Sequence, residues 1–261
     1  MDNFGISYIK QSIECGRPWT NFLSSPRSGS DNIYTMRIIQ ITDSHIYGDT
    51  TSNFDGINTK MSFERVLERV QQLNKPDLVI GTGDLSMDGS SQSYSWLHKR
   101  LAKMDAPIVL IPGNHDQQDE LASGIESTCF LKYGNLLSGS WCFHFLNTAH
   151  GGSHAGRLLG DDLSALTSSF QKNREIFHAI FMHHPPVRMG STWLDDMGLI
   201  NLTEFWKSIE HVPNLKLIVC GHVHQELDVV RKNVRVLTSP STCLQFKPLT
   251  KEYSADSLAP G

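Results

Sequence analysis

The sequence predicts an α/β fold, and three observations point to it. Short apolar runs rich in β-branched residues, which suit buried strands, alternate with segments in which apolar residues recur at helical spacing. The 261 residues are 39% hydrophobic and 19% charged, which is ordinary for a folded domain. Polar turns made of metal-binding residue types follow several of the apolar runs. We predict a single domain over residues 36–261.

Residues 1–35 are predicted to be an N-terminal tail without fixed structure. The segment contains Pro18, Pro26 and a serine-rich run over residues 24–30, and it lacks apolar periodicity. Met36 stands just before the first strand-like run. An overlong start of the coding sequence is therefore an open alternative to a genuine extension.

Eight apolar runs are predicted to be strands, and three amphipathic segments are predicted to be helices. The predicted strands cover residues 37–42, 78–82, 108–111, 141–146, 179–182, 215–219, 227–230 and 234–237. The helical stripes cover residues 63–73, 94–104 and 202–209. Asn201, followed three residues later by Glu204, is typical of a capping box at the start of the third helix.

Composition excludes several classes of function. The net charge of −4 and the absence of any block of lysine or arginine argue against a nucleic-acid partner. The five cysteines are scattered and never form a CxxC pair, so neither a disulfide framework nor a thiolate zinc site is indicated. No run reaches the roughly 20 apolar residues of a membrane span, and no signal peptide is recognisable. We expect a cytoplasmic protein with no membrane partner; its oligomeric state stays open, with a dimer as one option.

Metal-binding side chains follow five of the predicted strands. They are Asp43 with His45, Asp84, Asn114 with His115 and Asp116, His183 with His184, and His222 with His224. Because ligand sites in open α/β sheets lie at the carboxyl ends of strands, we expect these turns to converge. Carboxylate, amide and imidazole donors without thiolate suit Mn, Fe, Co, Ni or Zn. There are enough ligands for two ions, which a carboxylate such as Asp84 can bridge at about 3.5–4 Å.

Taken in order, these motifs resemble the signature of the calcineurin-like metallophosphoesterases. The resemblance implies a four-layer α/β/β/α sandwich of two mixed sheets flanked by helices. It also implies two divalent metal ions, Fe or Mn first, with Zn and Co as alternatives. Carried over residue by residue, the pattern implies Asp43, His45 and His224 on one ion, Asn114, His183 and His222 on the other, and Asp84 between them. His184 remains an alternative to His183.

Four further stretches resemble a narrower group, the bacterial class III cyclic AMP phosphodiesterases. They are residues 39–43, 190–195, 221–226 and 239–248. Metal binding does not require Trp193, Gln245 or Phe246, which belong either to the wall of a nucleotide pocket or to packing under the site. The resemblance implies hydrolysis of 3′,5′-cyclic AMP to 5′-AMP by a metal-bound hydroxide. It implies that His45, Asn114, His115 and His224 bind the substrate.

Two other residues are expected to assist the reaction. His115 resembles the non-ligand histidine of the family, which acts as general acid towards the leaving oxygen. Asp88 matches a position from which some members orient this histidine, and Asp116 competes for that role. Members usually continue past Gly261 into a further strand; if that strand completes a sheet edge, its absence would leave the edge unpaired and the domain less stable.

Other functions remain open at this stage. The same chemistry could act on other phosphodiesters, such as a glycerophosphodiester, or on phosphomonoesters. A metal-binding scaffold without catalysis is the alternative from another class, and metal binding without turnover would indicate it.

Overall fold

The computed structural model describes residues 12–13, 34–123, 130–131 and 134–261. The strands are β1 Ser12–Ile13, β2 Tyr34–Thr35, β3 Ile38–Ile41, β4 Leu78–Thr82, β5 Ile108–Ile111, β6 Phe130–Leu131, β7 Asn135–Ser138, β8 Trp141–Phe145, β9 Phe177–Met182, β10 Leu215–Cys220, β11 Leu227–Arg231, β12 Val234–Thr238, β13 Gln245–Phe246 and β14 Ala255–Asp256. The helices are α1 Thr59–Gln71, α2 Ser91–Leu101, α3 Gln118–Ser123, α4 Gly160–Lys172, α5 Thr192–Asp196 and α6 Leu202–Ile209. A short 3₁₀ helix, Ala102–Met104, extends α2.

Two main sheets form the centre of the domain. The first has the order β3-β4-β5-β6, and all of its pairings are parallel. The second has the order β11-β12-β10-β9-β8-β7, with parallel pairs at its centre and antiparallel pairs at both edges. Only the second sheet is mixed, whereas the resemblance implied two mixed sheets. The first is parallel because α1, α2 and α3 provide the crossovers between its strands.

The two sheets pack face to face, and helices cover both outer faces. Side chains alternate along each strand, so Val79 packs under α1 and α2 while its neighbour Ile80 faces the second sheet. In the second sheet, Phe181 faces the first sheet while Ile180 packs under α4 and α6. The predicted four-layer α/β/β/α architecture is therefore confirmed.

Helices α1, α2 and α6 bury the three predicted apolar stripes. The buried residues are Phe63, Leu67 and Val70 in α1, Tyr94, Leu97 and Leu101 in α2, and Phe205, Trp206 and Ile209 in α6. Asn201 does not cap α6 with its side chain. Its amide instead exchanges two hydrogen bonds with the backbone of Leu158 (2.8 and 3.2 Å) and donates a third to Glu204 (3.1 Å).

The segment that follows β12 returns to the end of β3. Thr242 donates its backbone N–H to the carbonyl of Thr42 (3.2 Å), and the Ser241 hydroxyl donates to the carbonyl of Asp43 (2.8 Å). The Ser62 hydroxyl of α1 donates to the carbonyl of Thr242 (2.6 Å). The chain then forms an antiparallel pair between β13 and β14, and we call these strands and the loop between them the C-terminal hairpin. This segment joins the first strand and helix of the domain to the last part of the chain.

All eight predicted strands are present, with bounds within two residues of those predicted. Most of the predicted tail lies outside the described residues; its strands Ser12–Ile13 and Tyr34–Thr35 pair antiparallel. Within the described part of the chain, every helix is too short or too polar to cross a bilayer.

Candidate active site

The five polar turns converge at the carboxyl ends of the strands, as the sequence predicts. Five of their residues adopt a left-handed backbone: Asp43 (φ 53°), His45 (45°), Asp84 (49°), His222 (71°) and His224 (45°). Residues other than glycine rarely adopt this conformation, and Asp and His tolerate it better than most. Such conformations cluster at functional sites, where the surrounding structure holds them. Here they turn polar side chains towards a common point beyond the sheet edges.

A first group of side chains consists of Asp43, His45 and His224, whose donor atoms all lie within 4.8 Å of one another. The Nε2 atoms of His45 and His224 are 3.1 Å apart, and His224 Nε2 lies 3.5 Å from Asp43 Oδ1. His224 Nδ1 lies 2.7 Å from the carbonyl oxygen of Leu244. A carbonyl can only accept, so Nδ1 carries the proton and Nε2 presents a lone pair to the group.

A second group lies beside the first and contains Asp84, Asn114, His183 and His222. His183 Nε2 is 3.2 Å from Asn114 Oδ1 and 3.4 Å from Asp84 Oδ2. The same Asp84 oxygen lies 3.8 Å from His45 Nε2, so this carboxylate stands between the two groups. His222 has a buried Nε2 without a hydrogen-bond partner among the described residues, and its ring centroid is 5.1 Å from that of His183.

The structure separates the two histidines of the His-His-Pro-Pro turn. His183 Nδ1 lies 2.8 Å from the carbonyl of Thr82, so Nε2 is free to act as a ligand. His184 uses both ring nitrogens within the protein: Nε2 lies 3.0 Å from the carbonyl of His154, and Nδ1 lies 2.8 Å from the Thr148 hydroxyl. With Nε2 donating, Nδ1 must accept from Thr148. His184 therefore has no lone pair to offer, and the geometry favours His183.

The electrostatics of the two groups fit bound cations. Asp43 and Asp84 are buried, and within the described residues their ion-pair partners are histidines. Burial opposes the charged form of Asp43, but His224 and His183 hold its pKa below the usual value. Burial also lowers the pKa of His45 to about 3, despite the nearby Asp84. Buried carboxylates among imidazole lone pairs are a donor set for two divalent transition-metal ions.

Two glycines of the motifs allow the metal-binding turns to approach one another closely. A Cβ at Gly113 would lie 2.2 Å from Asp84 Oδ1, and a Cβ at Gly221 would lie 2.0 Å from Thr42 Oγ1. Both contacts are far inside van der Waals distance. The Gly-Asn-His and Gly-His-Val-His motifs therefore need glycine for space.

Asp116 supports the turn that carries Asn114 and His115, and it does not orient the histidine. Its buried carboxylate accepts hydrogen bonds from the backbone N–H groups of Gly113 (2.8 Å), Leu85 (3.1 Å) and Ser86 (3.0 Å). The Tyr94 hydroxyl donates a further one at 2.9 Å. Burial raises the pKa of Asp116 to about 6, with Asp84 contributing in the same direction.

Asp88 also lies elsewhere than the sequence interpretation expects. Its Oδ2 accepts from the backbone N–H of Gly48 (2.7 Å), and its Oδ1 accepts from the Ser90 hydroxyl (2.7 Å) and backbone N–H (3.0 Å). No hydrogen bond with His115 is found among the described residues. Within the described residues, the hydrogen bonds of Asp88 join the Gly48 loop to the start of α2.

His115 lies beside the two groups, with a ring nitrogen within 4.8 Å of donor atoms of His45 and Asp84. Its backbone N–H donates to Asp84 Oδ1 (2.9 Å), and its ring is edge-on to that of His45, with centroids 5.1 Å apart. The side chain is partly exposed. It is therefore positioned to reach a molecule that contacts the metal-binding groups.

An open cleft of about 550 Å³, part of it continuous with solvent, leads to these groups. One end is polar and includes His45, Asp84, Asn114, His115, His222 and His224. The other end is formed by Phe54, Trp193, Met197, Phe246 and Tyr253. Trp193 and Phe246 thus line the cleft, whereas Gln245 is buried and hydrogen-bonded to the backbone of Ser241. Trp193 and Phe246 therefore fit a place in the wall of a nucleotide pocket, and Gln245 fits packing under the site.

Four cleft residues were not singled out from the sequence: Phe54, His154, Met197 and Tyr253. His154 stands in an irregular loop with no motif around it, although its Nδ1 lies 3.4 Å from Asn114 Nδ2. For Phe54 a signal exists, because the Asp55-Gly56 pair that follows it is a typical tight-turn sequence.

Comparison with known proteins agrees with this geometry. The family profile described as calcineurin-like phosphoesterase matches residues 36–226. The chain is 34% identical over 229 residues to the 3′,5′-cyclic adenosine monophosphate phosphodiesterase CpdA of Vibrio vulnificus (strain CMCP6), covering 87% of this chain and 84% of that protein. The protein of the same name from Pseudomonas aeruginosa is 35% identical over 228 residues, with the same two coverages of 87% and 84%.

Among solved structures, a dimetal phosphatase from Danio rerio has the same fold, with a TM-score of 0.62 at 11% identity over 78% of this chain and 87% of that one. This likeness concerns the fold alone. The profile match covers most of the domain and includes all the metal-binding turns. The chain therefore belongs to the calcineurin-like phosphoesterase family.

Proposed function

We propose that this protein hydrolyses 3′,5′-cyclic AMP to 5′-AMP in a reaction that depends on two divalent metal ions. The carrying observation is that two adjacent donor groups lie at the polar end of a cleft whose other end is aromatic. Such a cleft suits a molecule with an anionic phosphate at one end and a flat apolar ring at the other. The names of the two bacterial relatives support cyclic AMP as that molecule.

We propose that Asp43, His45 and His224 hold one ion and that Asn114, His183 and His222 hold the other. Asp84 contributes to both because it lies between the two groups. Fe or Mn is the metal that the family resemblance implies first, with Zn and Co as alternatives, and the nitrogen and oxygen donors without thiolate suit all four. When bound, such a pair of cations neutralises phosphate charge and activates water at neutral pH.

The side chains of this protein then bind and orient the substrate and protonate its leaving oxygen. We propose that His45, Asn114, His115 and His224 contact the cyclic phosphate, since all four line the polar end of the cleft. Water adds to phosphorus and releases one proton to the solvent, and the bond between phosphorus and the 3′ oxygen breaks. That oxygen leaves as an alkoxide and requires a proton, which His115 supplies as general acid. The product, 5′-AMP, retains the phosphate on its 5′ oxygen.

We also propose that the protein acts in the cytoplasm on a small-molecule substrate. Cys142, Cys220 and Cys243 are buried and free, which is the usual state of cysteines in a reducing compartment.

Hydrolysis assays on the purified protein loaded with Mn or Fe test the proposal. Cyclic AMP and bis(p-nitrophenyl) phosphate are compared for the natural chain, for His115→Ala and for His211→Ala, an exposed control outside the cleft. We expect turnover of both substrates, a loss of about 10²–10⁴-fold in His115→Ala, and normal rates in the control.

Other outcomes separate the competing functions. If bis(p-nitrophenyl) phosphate is hydrolysed and cyclic AMP is not, the protein is a phosphodiesterase whose substrate is not cyclic AMP. Bound metal with no turnover of either compound would indicate a scaffold.

A further inference from the structure

The aromatic end of the cleft is formed by three rings in mutual contact. The ring centroids of Trp193, Phe246 and Tyr253 lie 5.0–5.5 Å apart, and each pair is edge-to-face, with angles of 72–78°. This is a favourable aromatic arrangement, so each ring holds the other two in place. Phe246 is also stacked on the imidazole of His224, with centroids 3.9 Å apart and planes at 8°. The aromatic cluster therefore begins directly against a proposed metal ligand.

The three rings differ in how much surface they offer. Phe246 is only 8% exposed because one face is covered by His224 and its edges by the other rings. Trp193 is partly buried, and its Nε1 donates to the Thr250 hydroxyl within the C-terminal hairpin (3.1 Å). Tyr253 is 45% exposed and lines the cleft. Tyr253 is thus the most exposed of the three rings.

The ring of Tyr253 is also held through its hydroxyl. Its hydroxyl donates to the carboxylate of Asp55, which stands in a two-residue turn between Phe54 and Ile57. Asp55 has a φ of 47° and Gly56 a φ of 81°, the left-handed values that such a turn requires. The same turn places Phe54 in the cleft, edge-on to His45. One turn therefore supplies a cleft side chain and anchors the tyrosine.

We infer that Tyr253 contacts the nucleoside base of the substrate and that Asp55 is the positioning residue that holds it. The inference rests on the proposed function, because it assigns one end of the same cleft. A base is flat and polarisable and stacks on an aromatic side chain whatever its hydrogen-bonding pattern. Tyr253 thereby selects nucleotides over phosphodiesters that lack a base.

Equilibrium binding to the metal-loaded protein, measured by calorimetry, tests this without turnover. The probes are 5′-AMP and ribose 5-phosphate, which differ only in the base, so the ratio of their dissociation constants reports base recognition. We expect the natural chain to prefer 5′-AMP. Tyr253→Leu should reduce that preference about tenfold, which corresponds to about 1.4 kcal/mol. Tyr253→Phe should lower it only severalfold, because the ring remains but its hydrogen bond to Asp55 is lost.

Three further variants provide a matched control and test the positioning role of Asp55. Leu258→Ala changes an exposed residue near the C-terminal hairpin that does not line the cleft, and it should leave the ratio unchanged. Asp55→Ala should lower the preference severalfold, whereas Asp55→Asn should restore it, because an amide oxygen still accepts from the tyrosine hydroxyl.

Equal binding of the two probes to the natural chain would overturn the inference, and so would an unchanged ratio in Tyr253→Leu. If the preference and its loss are observed but cyclic AMP is not hydrolysed, base recognition stands and the proposed reaction fails. If cyclic AMP is hydrolysed but the protein does not bind 5′-AMP more tightly than ribose 5-phosphate, the proposed reaction stands and base recognition by Tyr253 fails.

Discussion

The Nε2 atoms of His45 and His224 face each other across 3.1 Å in the interior of the protein. His224 gives its other nitrogen to the carbonyl of Leu244, so its Nε2 carries a lone pair. His45 is buried, and the low pKa of about 3 that burial gives it keeps its ring neutral at physiological pH. This close approach, next to Asp43 and Asp84, is the arrangement expected of side chains that share a bound cation.

Removal of the metal is therefore expected to destabilise the fold. A chelator should lower the melting temperature measured by calorimetry, and adding Mn or Fe should restore it, because a ligand bound only by the folded state stabilises that state. His224→Ala should reduce the metal content measured by elemental analysis from two ions per chain towards one. A chelated protein that melts at the same temperature as the loaded one would contradict this prediction.

His183 and His184 are adjacent, yet their substitutions should have different consequences. His183→Ala should lose bound metal, because its Nε2 lies among the donor atoms of Asp84 and Asn114. His184→Ala should retain metal and lose stability by about 1–3 kcal/mol, because its buried partners on Thr148 and His154 are left unsatisfied. Metal content and urea unfolding on both variants separate the two effects. Loss of metal in His184→Ala alone would reverse the assignment.

The hydroxyl of Tyr94 is expected to stabilise the turn that carries Asn114. It donates to Asp116 (2.9 Å) and accepts from the backbone N–H of Gln117 (2.8 Å), and Tyr94 is fully buried. Tyr94→Phe should lower the free energy of unfolding by about 1–3 kcal/mol, since Asp116 loses a buried hydrogen bond and Gln117 a partly buried one. Urea denaturation measures this loss, and Tyr253→Phe serves as a half-exposed comparison with a smaller effect. Equal losses in the two variants would argue against the role of burial.

A buried pair of histidines away from the cleft should make stability depend on pH. His144 Nε2 and His178 Nδ1 are 3.0 Å apart on β8 and β9. Burial, followed by the neighbouring His178, lowers the pKa of His144 to about 3. In the unfolded chain this group binds a proton near pH 6.5, so the unfolded state holds more protons between about pH 6.5 and 3. Stability from this group is complete above pH 6.5 and is lost as the pH falls, by up to about 1.4 kcal/mol per unit.

Unfolding by urea at pH 7, 6 and 5 checks this prediction. The variant His144→Gln removes the titrating group and should show a shallower decline over that range than the natural chain. Identical slopes for the two proteins would mean that His144 is not the source of the pH dependence.

The strands were predictable because each is a short, continuous apolar run between polar turns. The run Leu78–Thr82 is buried at every position, and the prediction has the same bounds as the structure. Strand Asn135–Ser138 is not among the predicted strands, because it lies at a sheet edge and is only half-buried, so its sequence carries little apolar signal. Helix α4 is also absent from the prediction, although Leu163, Leu166 and Phe170 recur at helical spacing.

The site was predictable in its residue types and much less so in its hydrogen bonds. The strand ends brought the metal-binding side chains together as expected, because topology alone decides where strand ends lie. Sequence could not separate His183 from His184, since the difference lies in which of them meets the carbonyl of Thr82. Nor could it show that the Asp88 carboxylate accepts hydrogen bonds from the backbone N–H groups of Gly48, 40 residues away, and Ser90, two residues away.

The return of residues 241–246 to the end of β3 has a consequence for biosynthesis. A nascent chain can pair β3, β4 and β5 early, because those strands and their helices are consecutive. The metal-binding groups must wait for His222 and His224, and the carbonyls of Leu244 and Thr242 arrive later still. A ribosome therefore has to deliver nearly the whole domain before the enzyme can take up its ions. Translation arrested before residue 241 would leave His224 without the carbonyl of Leu244, which its Nδ1 meets in the folded domain.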